Sequence, residues 1–145
     1  MRAVLQRVSG ASVTVDGSVA GAIDNGLLVL VGFGRDDSED VLEKMAQKII
    51  RLRVFSDEND KINLSVKDIG GGLLVVSQFT LYWSCRKGTR PSFDGAMEPG
   101  RAEELYNKFT EILKDSGLKV ETGIFGADMK VSLINDGPVT VALEL

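Results

Sequence analysis

Ser77-Gln78-Phe79-Thr80 places two hydroxyls and an amide directly behind four aliphatic residues, Leu73 to Val76. The aliphatic run reads as a strand buried on both faces, after the glycines Gly70 to Gly72 end whatever precedes it. Polar groups at the end of such a strand cost about 1–3 kcal/mol each if buried and unpaired, so they are hydrogen-bonded, solvated or used. A second polar stretch, Asn135-Asp136-Gly137-Pro138-Val139-Thr140, lies between two alternating apolar runs near the C-terminus. Read locally it is a turn, because proline cannot donate to a sheet ladder.

What is missing narrows the chemistry further. The chain has no histidine, which excludes Ser-His-Asp and Cys-His machinery and imidazole metal sites. Its single cysteine, Cys85, cannot form an internal disulfide and makes a structural zinc site unexpected; no metal or other cofactor is expected. A hydrolase built from these residues would take its base from a carboxylate, a lysine, a metal-bound water or the substrate.

The elements that must position these groups follow from patterning. Arg2–Ser9 and Ser12–Val15 read as strands, Asp16-Gly17 as a hairpin turn, Val19–Ile23 as the returning strand and Leu27–Phe33 as a buried one. Arg7 is a lone cation in that apolar opening, and an edge position facing solvent would accommodate it. Val41, Leu42, Met45, Ala46, Ile49 and Ile50 recur at helical spacing, after capping candidates at Asp36 to Ser38. Pro99 opens a second helix with Ala102, Leu105, Tyr106, Phe109, Ile112 and Leu113 on one face, and Gly117 stops it. Val120–Phe125, the alternation Met129, Val131, Leu133, and the run from Val139 to the C-terminus are further strands. The fold class is therefore α+β: a sheet-rich single domain, residues 1–145, approaching a β-barrel, with two amphipathic helices packed on the sheet.

At 145 residues, with 43% hydrophobic and 26% charged residues, this is the composition of an ordinary globular domain. No segment approaches the roughly 18 apolar residues of a membrane span, and the opening residues lack a signal-peptide core, so a cytoplasmic protein without a membrane partner is expected. A net charge of −4 argues against broad electrostatic binding to DNA or RNA. Any RNA contact needs a local patch. The stretch Tyr82 to Gly100 offers one, with Arg86, Lys87 and Arg90 among Tyr82, Trp83 and Phe93; it reads equally as a solvated loop held down by its aromatics.

SQFTL at Ser77 to Leu81, RPSF at Arg90 to Phe93 and NDGPVT at Asn135 to Thr140 together resemble the D-aminoacyl-tRNA deacylase family. The likeness spans essentially the whole chain, including QRV and ASVTVDG near the start and ADMKVSL before the last motif. It implies hydrolysis of the ester joining a D-amino acid to the terminal adenosine of tRNA, by a homodimer with its pocket at the subunit interface. Carried over, Ser77, Gln78, Phe79 and Thr80 line the adenosine and ester side. Gly137 and Pro138, joined by a cis peptide bond and counted with Asn135, reach in from the other subunit and exclude an L side chain. Arg7 resembles the arginine that holds the Gly-Pro in place, and Phe125 and Met129 match pocket-lining positions. A histidine-free deacylase is chemically coherent because the terminal ribose carries its own 2′-hydroxyl. The partners implied are tRNA bearing a D-amino acid and a second copy of the chain. Clearance of glycine mischarged on non-cognate tRNA is left open. So are two other classes: an RNA-binding module without activity, and an interaction domain in which both motifs are ordinary strand ends and turns. The WSCR stretch departs from the family's pattern.

Overall fold

The computed structural model describes residues 1–86 and 88–145. Its two longest strands run side by side, β1 (Arg2–Val15) and β8 (Lys130–Glu144). Between them come β2 (Ser18–Ile23), β3 (Gly26–Gly32), α1 (Asp40–Arg51), β4 (Arg53–Ser56), β5 (Ile62–Ser65), β6 (Gly72–Ser77), a 3-10 turn at Phe79–Tyr82, α2 (Pro99–Lys114) and β7 (Lys119–Thr122). The main sheet has the order β2-β1-β3-β6-β7, with β8 on β1; β4 and β5 form a separate hairpin.

β1 does more than the two short strands expected of its sequence. It continues through Gly10, pairing by its first half with β3, by its second half with β2, and along its length with β8. One strand can serve three partners only by bending, and register shifts mark the bend at Val8 to Gly10. The bend brings β2 round to β7, where the backbones at Gly21 and Thr122 leave no room for a Cβ. The sheet is thereby curled toward a barrel, as patterning implied. The Asp16-Gly17 turn that links β1 to β2 has both residues at positive φ.

β3 pairs in parallel with β6, and β6 with β7. That explains the continuous aliphatic runs, since each face of these strands is covered. Alternate residues Val8, Val13, Leu28, Leu74 and Val76 fill the curled interior. The opposite set, including Leu5, Leu27, Val29, Leu73 and Val75, meets Met45 and Ile49 of α1 and Leu105 and Phe109 of α2.

Three local readings are corrected. Asp36 to Ser38 do not cap α1; Glu39 stands at its N-cap without a side-chain cap bond, because the Asp37 carboxylate is engaged elsewhere. The strand expected over Val120–Phe125 covers only Lys119–Thr122, and the chain from Gly123 leaves the sheet to form a wall of the site. Most consequentially, Asn135 to Pro138 is not a turn between strands. β8 passes straight through it, and four residues, 136–139, oppose the single Arg7 of β1 as an outward bulge. Proline is tolerated there because the bulge lies outside the ladder. Among the described residues no helix is long and apolar enough to cross a membrane.

Candidate active site

A cavity of about 490 Å³ opens at the C-terminal ends of the parallel strands β3 and β6. One wall is the end of β6 and the turn after it: Val76, Ser77, Gln78 and Phe79. The end of β3 forms a second, α2 contributes Pro99 and Ala102, and the segment leaving β7 closes the far side with Phe125 and Met129. The lining is mainly apolar with a few convergent polar groups, the usual character of a small-molecule site.

The polar end of β6 is built from behind. The Gln78 amide N–H donates to the Val31 carbonyl at 2.6 Å, tying the turn to β3. The turn can approach so closely because residue 32 is glycine: a Cβ there would stand 2.7 Å from the Gln78 carbonyl oxygen. Within the turn, Gln78 Nε2 donates to Thr80 Oγ1 at 2.5 Å. Tyr82 closes it. Its hydroxyl donates to Asp37 Oδ2 at 3.2 Å, and the Arg2 guanidinium lies 4.5 Å from the centre of its ring while donating to the Leu81 carbonyl. Burial, then the Asp37 charge, push the Tyr82 phenol well above its ordinary value, so it acts as a neutral donor. The same Asp37 carboxylate accepts from the Gly34 N–H and the Met1 ammonium, both at 2.6 Å.

Across the cavity, the Glu98 carboxylate caps α2 by accepting from Gly100 N at 3.0 Å and Arg101 N at 3.1 Å, and these donors hold it below the usual carboxylate range. Phe79 is 58% exposed at the cavity mouth and meets Phe93 edge-on, ring centres 5.0 Å apart. Among the described residues no cluster of histidine, cysteine or carboxylate side chains is arranged to hold a metal.

The residues singled out in the sequence fall into two groups. Ser77, Gln78, Phe79, Phe125 and Met129 line the cavity, with Thr80 one residue further along the turn. Arg7, Asn135, Gly137 and Pro138 lie elsewhere, around the β8 bulge. The Gly137-Pro138 bond is cis. Arg7 does not face solvent; its side chain is 11% exposed and turns inward. It donates from Nε to the Asp136 carbonyl at 2.8 Å and from Nη1 to the Val54 carbonyl at 2.6 Å, with Asp136 Oδ2 a further 3.5 Å partner. Arg7 pairs with Leu27 at the start of β3, whereas the cavity begins at Val31. Four residues of strand separate the groups by roughly 13 Å.

Sequence reasoning missed other parts of the lining, Val31, Gly32, Met97 and Ala102 among them. Their signal is long-range, since nothing local says that the end of β3 and the start of α2 meet.

The class is that of sheet-rich α+β domains with a cavity beyond the ends of two parallel strands, here lined by Ser77, Gln78 and Phe79, and an Arg-braced Gly-Pro bulge stands elsewhere on the same sheet. The family model for D-Tyr-tRNA(Tyr) deacylase matches residues 4–144, and this chain belongs to that family. It is similar to D-aminoacyl-tRNA deacylases of Koribacter versatilis (59% identical over 144 residues) and Thermosipho africanus (57% over 144), in each case over 99% of this chain and 97% of the relative. Among solved structures it resembles a protein described as c-Myc DNA unwinding element binding protein, at TM-score 0.94 and 46% identity, covering 100% of this chain and 99% of that one. A probable eukaryotic D-amino acid tRNA deacylase, 17% identical with TM-score 0.87 over 99% of this chain and 98% of that one, shares the fold.

Proposed function

We propose that this chain hydrolyses the ester of D-aminoacyl-tRNA, releasing free tRNA and the D-amino acid, and that L-aminoacyl-tRNA is rejected by Gly137-Pro138 of a partner subunit. The observation that carries this reading is the cavity itself: in a chain of the deacylase family, Ser77, Gln78, Phe79, Phe125 and Met129 converge on one space of about 490 Å³. The enzyme is thus a hydrolase acting on aminoacyl-tRNA, and its working place is the cytoplasm, where charged tRNA is used.

The chemistry follows from what the site offers. Backbone and amide donors at the end of β6 can hold the ester and the developing oxyanion, which is the largest contribution expected of a preorganised site. No imidazole exists to activate a protein hydroxyl. The neighbouring 2′-hydroxyl of the terminal ribose is the nucleophile-activating group nearest the ester, and the protein's task is to position it.

A shared site is supported by two features of one chain. The bulge lies roughly 13 Å along the sheet from its own cavity, so it serves a cavity by reaching another subunit's. β8 carries Ile134 68% exposed, on a strand that among the described residues pairs only with β1. Such an edge is ordinarily covered. Selection through main-chain atoms would admit many D side chains, and the same geometry leaves glycine on a non-cognate tRNA as a substrate to be tested.

The test is paired kinetics on D-Tyr-tRNA, L-Tyr-tRNA and glycine-charged non-cognate tRNA. Release of the D-amino acid with the L-ester spared is expected. Equal release of D and L removes the selection mechanism, and binding without release removes the enzyme.

A further inference from the structure

One motif has no part in the cavity. Trp83 follows directly on the 3-10 turn, its N–H donating to the Thr80 carbonyl at 3.1 Å, and its indole is 58% exposed. Ser84 and Ser92 then exchange two backbone hydrogen bonds, at 2.8 and 2.9 Å, which draw the chain directly after Trp83 back toward Phe93. Cys85, Arg86 and Arg90 are exposed. Residues 83–92 contain three cations and no carboxylate, in a chain whose net charge is −4. The basic charge is therefore local, and it sits next to the residues that form the cavity mouth.

We propose that Trp83, Arg86 and Arg90 bind the single-stranded nucleotides immediately 5′ of the terminal adenosine, with the indole stacked on a base and the two guanidinium groups on phosphates. The inference rests on the deacylase reading of the cavity. Three observations select this occupant. The cavity, of about 490 Å³, leaves no space for several nucleotides, and Phe79 on its lining is 58% exposed, so the strand can pass that ring on its way out. Trp83 lies about 8 Å along the turn from Phe79, within reach of the next nucleotides. An exposed indole followed within a few residues by exposed arginines is the combination that grips unpaired nucleotides with little regard to sequence, by stacking and charge together. A base-paired stem would offer the indole no free face.

Trp83 is the only tryptophan in the chain, which makes the test direct. Fluorescence of the wild-type protein is titrated with the trinucleotide CCA and, separately, with adenosine. Quenching by CCA and none by adenosine is expected. Kinetics are then compared on D-Tyr-tRNA, on the trinucleotide ester CCA-D-Tyr and on 3′-O-D-tyrosyl adenosine. Trp83→Ala should raise KM about five-fold or more on the first two substrates, the scale of one lost base stack. kcat should not change, and the adenosine ester should be hydrolysed as by wild type. Arg86→Ala/Arg90→Ala should lower the salt dependence of tRNA binding by roughly 1.4 in log–log slope, two single-strand phosphates.

Several results overturn the proposal. These are equal loss on all three substrates, a penalty on tRNA but not on CCA-D-Tyr, and no penalty at all. A Trp83→Ala protein that sediments differently from wild type would assign the indole to protein–protein contact instead. If wild type hydrolyses none of the three esters, the deacylase reading itself has failed, and this inference with it.

Discussion

Arg7 is the single residue of β1 that faces the bulge of β8, and its Nε donates to the Asp136 carbonyl at 2.8 Å. Its other bond, to the Val54 carbonyl at 2.6 Å, anchors the bulge to β4, so one guanidinium spans two elements far apart in sequence. Lysine carries its charge on one point and cannot reproduce that fork. Arg7→Lys and Arg7→Ala should therefore both lower kcat/KM for D-Tyr-tRNA about ten-fold or more, a factor equivalent to ~1.4 kcal/mol. The measurement is single-substrate kinetics beside urea unfolding. Wild-type kinetics in Arg7→Lys would mean that charge alone suffices and that the two-carbonyl brace is dispensable.

Gly137 is held against that guanidinium. A Cβ at residue 137 would stand 2.9 Å from Arg7 Nη2 and 3.0 Å from the Val139 nitrogen, at a φ of +129° that side chains avoid. Gly137→Ala should thus displace Arg7 and the bulge together, costing of order 1–3 kcal/mol for the backbone alone. The midpoint of urea unfolding should fall, and activity should fall with it. An alanine protein with unchanged midpoint and unchanged D-to-L ratio would show that the position tolerates a side chain.

The parts that were legible in the sequence are those where one local pattern has one meaning. Leu73 to Val76 and Leu27 to Val31 read as strands covered on both faces, and both helices showed their buried faces through Met45, Ile49, Leu105 and Phe109. The bulge was misread because Asn-Asp-Gly-Pro is turn composition, while its outcome depends on a neighbour. β1 supplies pairing partners on both sides, Val8 to Asn135 and Gln6 to Thr140, and carries the strand through. Arg7 looked like a solvent-facing cation because its two acceptors, at Val54 and Asp136, are 47 and 129 residues away. Gly32 carried no visible signal at all; its role exists only once the Gln78 carbonyl is set against it.

Alkaline stability should report the packing behind the site. Tyr106 of α2 is 3% exposed and donates to the Val75 carbonyl at 2.9 Å. Burial pushes its phenol from 10.0 to about 12. The folded state thus prefers the protonated form more than the unfolded state does. Its contribution is fully present below pH 10 and is lost as pH rises from there through about 12. Urea midpoints should hold level to about pH 10 and then decline. Tyr106→Phe should flatten part of that decline at a cost near neutrality of only about 0.5–1.5 kcal/mol. The cost is small because the Val75 carbonyl also accepts from Gly123 N at 3.0 Å. An identical alkaline limb in the phenylalanine protein would move its origin elsewhere.

The separation between bulge and cavity makes a prediction about assembly. Thr80→Trp should block the cavity side and Pro138→Trp the bulge side, each abolishing activity in its own homodimer. Mixed subunits would then hold one intact pairing of unmodified cavity with unmodified bulge. Partial recovery, up to about half of wild-type activity per heterodimer, is the outcome expected when each subunit of an isologous dimer lends its bulge to the other's cavity. If subunit exchange is confirmed by mass and activity does not return, each cavity is completed by its own chain. An active monomer in sedimentation at assay concentration would lead to the same conclusion.

Thr80 is the remaining hydroxyl that chemistry would tempt one to make a nucleophile. Its Oγ1 accepts from Gln78 Nε2 at 2.5 Å, an amide that can orient the hydroxyl but cannot take its proton. A threonine without an activating base is a weak nucleophile, and the chain has no histidine to serve. On the proposed mechanism the threonine helps to position the ester and is replaceable at modest cost. Thr80→Ala should slow single-turnover hydrolysis of D-Tyr-tRNA by about ten-fold or less, near the worth of one hydrogen bond. A tRNA ending in 2′-deoxyadenosine should be a far poorer substrate, for wild type and variant alike, because the activating group would then be gone from the substrate. Acid-quenched reactions followed by mass spectrometry supply the deciding observation. A D-tyrosyl group recovered on Thr80, or a deoxy substrate cleaved at the wild-type rate, would return the nucleophile to the protein.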